Sequence, residues 1–154
     1  MELVEITEKG KPARPVENLT DIIKEVMSST SELYANSGYI PPWIGYLAFD
    51  GNNCVGTCAF KSSPEKGRVE IAYFTFPEYE RQGVATHMAQ RLVEIALELE
   101  PQITIVAQTL PDENASTAVL KKLGFRFVAE VEHPEDGKVW EWQLRNSENE
   151  QKSE

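Results

Sequence analysis

The chain has 154 residues, about one domain's worth, with 41% hydrophobic and 26% charged side chains, a balance that fills a core and excludes wholesale disorder. Fifteen Lys and Arg against 25 Asp and Glu leave a net charge of −10. That deficit argues against a nucleic-acid binder and favours a cationic partner drawn in by the field. No run approaches the ~20 apolar residues of a membrane helix, and residues 1–5 have neither the basic nor the long apolar segment of a secretory leader, so the expectation is a cytoplasmic protein acting away from membranes.

Residues 3–6 alternate apolar and acidic side chains and predict a first strand. A Gly/Pro-punctuated loop follows over 9–18. Thr20 then stands as an N-cap before Ile22, Ile23, Val26 and Leu33, spaced for one helical face, with Ser28-Ser29-Thr30-Ser31 as a candidate break. Runs 43–49 and 54–60 flank Asp50-Gly51-Asn52-Asn53, turn chemistry that predicts a hairpin. After a second turn, residues 68–76 form a third consecutive strand, rich in β-branched and aromatic side chains and ended by Pro77. Val84, Met88, Leu92, Ile95, Ala96 and Leu99 then repeat at helical spacing before Pro101. A strand with Ile103, Ile105 and Ala107 leads to a short helix over 114–123, closed by Gly124 in a left-handed cap position. Residues 125–131 and 138–144 form a last hairpin around Pro134-Glu135-Asp136-Gly137. Polar residues 146–154 read as a disordered tail beyond a single domain over 1–145.

The order β–α–β–β–β–α–β–α–β–β predicts an α+β fold with a mixed, mostly antiparallel sheet and one parallel crossover. Cys54 and Cys58 sit four apart in one strand, about 13 Å, too far for a disulfide. No second Cys or His pair completes a metal site, so no metal is expected, and the thiols suit a reducing compartment.

The segment Pro77-Glu78-Tyr79-Glu80-Arg81-Gln82-Gly83-Val84-Ala85-Thr86 leaves a strand and opens a helix. Gly83 lets the backbone turn, Ala85 keeps the surface small, and the amides of 82–86 lie where a helix leaves N–H groups without internal partners. A pyrophosphate fits such an end, and Arg81 adds a charge-assisted bond. The alternative is a plain glycine-containing turn. The segment is neither a Walker A loop nor a dinucleotide fingerprint.

Glu80-Arg81-Gln82-Gly83-Val84-Ala85 resembles the R/Q-x-x-G-x-G/A acyl-CoA pyrophosphate loop of the GNAT superfamily of N-acyltransferases, with Glu80 where that family prefers Arg or Gln. Asn114-Ala115-Ser116-Thr117-Ala118-Val119-Leu120-Lys121-Lys122-Leu123-Gly124-Phe125 resembles the same superfamily's Asn…Leu-Gly-Phe segment, in the branch with the ribosomal-protein alanine acetyltransferases. The resemblance covers about residues 2–145 and implies the GNAT fold, whose two parallel central strands splay around acetyl-CoA. It implies that the backbone of Phe74, Thr75 and Phe76 pairs with the pantetheine arm, that a main-chain N–H there polarises the thioester carbonyl, and that Asn114 bonds the arm. Arg81, Gln82, Gly83, Val84, Ala85 and Thr86 would hold the pyrophosphate.

The implied activity is acetyl transfer from acetyl-CoA to an amine by direct attack in a ternary complex. The amine must lose a proton, and Glu70 is the candidate base. Alternation places it on one face with Ala72 and Phe74, and it matches the catalytic glutamate of histone-acetylating members. The alternative is a solvated glutamate or a partner of Arg68. Many members carry a tyrosine where this chain has Leu120, leaving Ser116 or water to protonate the departing thiolate. That substitution keeps open a catalytically silent acyl-CoA sensor. His87, His133, Trp140 and Trp142 read as structural; Tyr39 and Trp43 could line an amine pocket or anchor a loop; Lys121 or Lys122 could approach the CoA 3′-phosphate. A homodimer is the base-rate expectation for assembly.

Overall fold

Alternating apolar residues and turn glycines lay seven strands into one sheet in the computed structural model of the chain, which describes residues 1–145. The expected tail at 146–154 lies outside the described residues. β1 (Glu2–Glu5), β2 (Gly45–Asp50), β3 (Asn53–Phe60) and β4 (Arg68–Thr75) run antiparallel in succession. β4 pairs parallel with β5 (Thr104–Thr109), and antiparallel β7 (Gly137–Arg145) and β6 (Arg126–His133) complete the order β1-β2-β3-β4-β5-β7-β6. A parallel pair needs a crossover, and α2 (Val84–Leu99) supplies it; α1 (Asp21–Ser37) and α3 (Ala115–Lys122) complete the α-helices among the described residues, with one turn of 3-10 helix at Pro77–Tyr79. Element order and mixed sheet are those predicted. No helix among the described residues is long and apolar enough to cross a membrane.

α1 begins at the predicted N-cap, where the Thr20 side chain accepts from Ile23 N. It then runs unbroken through the Ser/Thr stretch, against the expected break. Two of the four hydroxyls there have partners compatible with the helix: Thr30 donates to Val26 O at 2.8 Å and Ser31 to Glu8 O at 3.2 Å. Buried Met27 and Tyr34 anchor the helix, Tyr34 Oη donating to Ile6 O at 2.8 Å and accepting from Gly45 N at 2.9 Å. β2 starts two residues later than expected because Trp43 and Ile44 donate their N–H groups back to Ile40 and Pro42, closing a turn.

α2 buries Val84, Met88, Ala89, Leu92 and Ala96 and packs on β3 and β4. That packing requires Gly56: a Cβ there would stand 2.6 Å from Phe74 O and 3.1 Å from Met88.

The feature that positions the site is a split between β4 and β5. Their pairing runs from Arg68↔Thr104 to Ile71↔Ala107 and stops, although both strands continue. Beyond that point β4 stays with β3, through Thr57↔Phe74 and Gly56↔Thr75, while β5 stays with β7, through Gln108↔Glu141 and Thr109↔Trp140. Buried Trp142 locks the second arrangement, its Nε1–H donating to Thr109 Oγ1 at 3.0 Å. Two strands held by different neighbours diverge, and the gap opens toward α2 and α3.

Candidate active site

The N-termini of the helices differ in what satisfies their orphan N–H groups. α1 is capped by Thr20 and α3 by a reciprocal capping box of Asn114 and Thr117, but α2 has no side-chain cap. Its N-cap, Gly83, adopts φ 79°, and Arg81 is also left-handed at φ 65°. Such a conformation strains a non-glycine residue. Open space surrounds Gly83, so the left-handed φ rather than crowding demands glycine. The turn thus presents unpaired main-chain donors beside a cationic side chain.

These donors face a cleft of about 550 Å³ lined by Tyr73, Thr75, Arg81, Val84, Thr86 and Ser116, together with Phe74, Glu80, Gly83, Ala85, Ala115 and Val119. Gln82, Phe76 and Asn114 do not line it. The Asn114 side-chain oxygen is engaged at the α3 N-terminus, accepting from Thr117 N at 3.1 Å.

The expected backbone partners on β4 need one correction. Phe76 N donates to Val55 O at 2.9 Å, and Lys61 N donates to Glu70 O at 2.9 Å. Backbone groups on an antiparallel strand alternate sides, so residues 70, 72, 74 and 76 turn theirs toward β3. The groups left facing the gap past Ile71 belong to Tyr73 and Thr75. Phe74 and Phe76 therefore do not offer main-chain bonds there, whereas Thr75 does, joined by Tyr73, which sequence reasoning passed over. The two-residue alternation was legible; which neighbour each group faces was not. Tyr73 also spans the gap with its side chain, donating from Oη to Ser116 O at 3.3 Å. Burial pushes its pKa up to about 12.

A second pocket of about 490 Å³ lies between α1 and the opposite face of β3 and β4. Ile22, Val26, Ala59, Ala72 and Phe74 make it largely apolar; Glu25 is the one charged residue lining it, and Glu25 forms no ion pair among the described residues. Tyr73 and Phe74 border both pockets, so the two meet across β4.

Glu70 borders neither. It lines a separate polar hollow with Arg68 and Glu141, and Lys61 Nζ lies 2.9 Å from its Oε2, an ion pair whose angle falls short of a hydrogen bond. Arg68, the partner considered from sequence, pairs instead with Glu141 at 3.4 Å.

The remaining candidates sort plainly. His87 is exposed. His133 Nδ1 accepts from the backbone of Glu135 and Asp136, both at 3.1 Å, which organises the last turn. Tyr39 packs on Tyr34 and Trp43 on Phe60, each at 5.0 Å between ring centroids, anchoring the loop rather than lining either pocket. Trp140 and Trp142 share a face with Phe127. Lys121 pairs with Glu113 at 2.8 Å. Burial pushes the Cys54 thiol up to about 11 and Cys58 up to about 12, leaving both unionised near neutral pH. No group of residues suited to a metal ion occurs among the described residues.

Comparison with known proteins bears on this geometry. A family model described as an acetyltransferase (GNAT) domain matches residues 4–126. The uncharacterized N-acetyltransferase YjdG of Bacillus subtilis (strain 168) is 35% identical over 77 residues, 49% of this chain and 46% of that protein, so the match spans about half of the relative's length. Among solved structures, RimL, a ribosomal L7/L12 alpha-N-protein acetyltransferase, in complex with coenzyme A superimposes with TM-score 0.64 at 19% identity, over 81% of this chain and 72% of that one. A crystal form of RimL without ligand reaches TM-score 0.70 at 17% identity over 94% and 92%. The ribosomal-protein-S5-alanine acetyltransferase of Vibrio fischeri gives 0.63 at 16% identity over 80% and 70%. At these identities the likeness is one of fold.

Proposed function

The chain belongs to the GNAT acetyltransferase family, and from that premise we propose that it transfers the acetyl group of acetyl-CoA to an amine by direct attack in a ternary complex. The observation that carries this reading is the β4–β5 split, which opens beside an uncapped helix N-terminus and borders a second pocket through Tyr73 and Phe74. The chain's donors fit acetyl-CoA. Arg81 and the first amides of α2 suit its pyrophosphate. The free main-chain groups of Tyr73 and Thr75 suit the amide-bearing arm as an added strand would. Backbone amides make those contacts, so Glu80 in place of Arg or Gln leaves them intact.

The pocket under α1 suits the acceptor. Its walls favour an apolar stem, and the Glu25 carboxylate together with the net charge of −10 favours a cationic amine. Glu70, two residues from Ala72 on the pocket wall, acts as base through an intervening water. Thiols that stay protonated near neutrality support direct attack over a covalent acyl-enzyme. Reduced thiols fit a cytoplasmic setting.

Thermal unfolding with and without CoA, paired with a thiol-release assay over a panel of amines, tests the reading. CoA at 100 times its Kd is expected to stabilise the protein by about 2.7 kcal/mol, and thiol release to require an amine, cationic ones surpassing anionic ones. Stabilisation without release on any amine selects the silent sensor. No stabilisation overturns both.

A further inference from the structure

Acetyl transfer forms a C–N bond and breaks a C–S bond, and the electron pair of the broken bond stays on sulfur. The nitrogen gives up its proton to the base. In that reading the thiolate develops at β4 between the two pockets, beside Tyr73 and Phe74, the residues common to both and away from the pyrophosphate end of α2, with the apolar walls of Ala72 and Val26 behind it. An anion among apolar side chains needs a donor. Leu120, fully buried, has none to offer.

We infer that Tyr73 donates its hydroxyl hydrogen bond to the departing sulfur, a role that rests on the acetyl-transfer reading above. Tyr73 borders both pockets and stands just past the point where β4 and β5 part. Its present acceptor, Ser116 O at 3.3 Å, is well beyond the ~2.7–2.8 Å of a good O–H···O bond. That bond is weak enough to be exchanged for a charged acceptor. Burial, which lifts the phenol to about 12, keeps the proton on oxygen at neutral pH. Tyr73 thus acts as a fixed dipole rather than a proton source, and it keeps its own proton throughout. The thiolate takes a proton from water as it leaves. The Ser116 hydroxyl, the donor considered from sequence, is the competitor.

The test is a titration of the CoA thiol bound to the protein, followed by thiolate absorbance, in wild type, Tyr73→Phe and Ser116→Ala. A donor to sulfur lowers the thiol's pKa, so wild type is expected to ionise bound CoA at lower pH than Tyr73→Phe by about one pH unit, a tenfold effect. Desulfo-CoA is expected to bind both proteins equally, which a merely structural role for the ring would not predict. Acetyl transfer by Tyr73→Phe is expected to lose kcat on the order of tenfold with little change in KM for acetyl-CoA. Should that variant fold poorly, site-specific 3-fluorotyrosine at 73, a stronger donor, is expected to lower the bound thiol's pKa further. An unchanged titration in Tyr73→Phe, or a shift confined to Ser116→Ala, overturns the inference while the acyl-CoA reading stands. Failure of wild type to bind CoA overturns both.

Discussion

Lys61 holds the Glu70 carboxylate at 2.9 Å on the face of β4 that continues into the second pocket through Ala72 and Phe74. In the proposed reaction such a carboxylate would reach an acceptor amine by way of water. Glu70→Gln is therefore expected to lower kcat/KM at neutral pH by about 10²-fold, the lower range for general-base catalysis. The deficit should narrow as pH rises toward the acceptor's own pKa, because a free amine needs no base. Equal rates for both proteins across the pH profile would remove Glu70 from the mechanism. Legibility at this scale was uneven. Gly83 announced a turn, but the left-handed Arg81 beside it was not legible, because nothing in an arginine favours positive φ; Ser116 lines the cleft. Tyr73 passed unnoticed because strand alternation gives side-chain faces but says nothing about which neighbouring strand a main-chain N–H meets.

Helices show how local chemistry separates capped from uncapped ends. Asn114 and Thr117 satisfy each other's backbone at the start of α3, with Thr117 fully buried. The segment's resemblance suggested a cofactor contact for Asn114; its side-chain oxygen accepts from Thr117 N at the helix start, while its amide NH2 is not engaged by that bond. Asn114→Ala is expected to cost about 1 kcal/mol of stability, a drop in Tm of about 3 °C by calorimetry. Asn114→Ser, which retains a cap, should recover most of it. A loss of CoA affinity in both variants with no change in Tm would instead point to the cofactor contact. The continuous α1 carries the complementary lesson. Its Ser/Thr run looked like a break because those hydroxyls compete with helical hydrogen bonds, and Val26 O and Glu8 O supplied partners that sequence spacing did not reveal.

Across the whole molecule, burial of weak acids sets the response to alkali. Cys54 rises from its ordinary 9.0 to about 11, Cys58 to about 12, and Tyr34 and Tyr73 from 10.0 to about 12, each chiefly because burial disfavours the anion. The folded state thus holds these protons more tightly than the unfolded one. Below pH 9 both states are protonated at these groups and their contribution is complete. Between about pH 9 and 12 the unfolded chain ionises first, so stability must fall with rising pH. Urea midpoints at pH 8, 9.5 and 11 are expected to fall at the first step, as the two unfolded thiols ionise, and further at the last, as the tyrosines join them; a level series would contradict the burial of these groups.

Patterning and turn chemistry alone determined the number and order of strands and helices and the glycine turn ahead of the long helix, because these depend on residues close together in the chain. Tertiary structure decided where β4 and β5 part, since that depends on β3 and β7 holding them from opposite sides. It decided too that Tyr73 and Thr75 face the gap, and that residues from α1, β3 and β4, far apart in sequence, enclose one apolar pocket beside a single carboxylate.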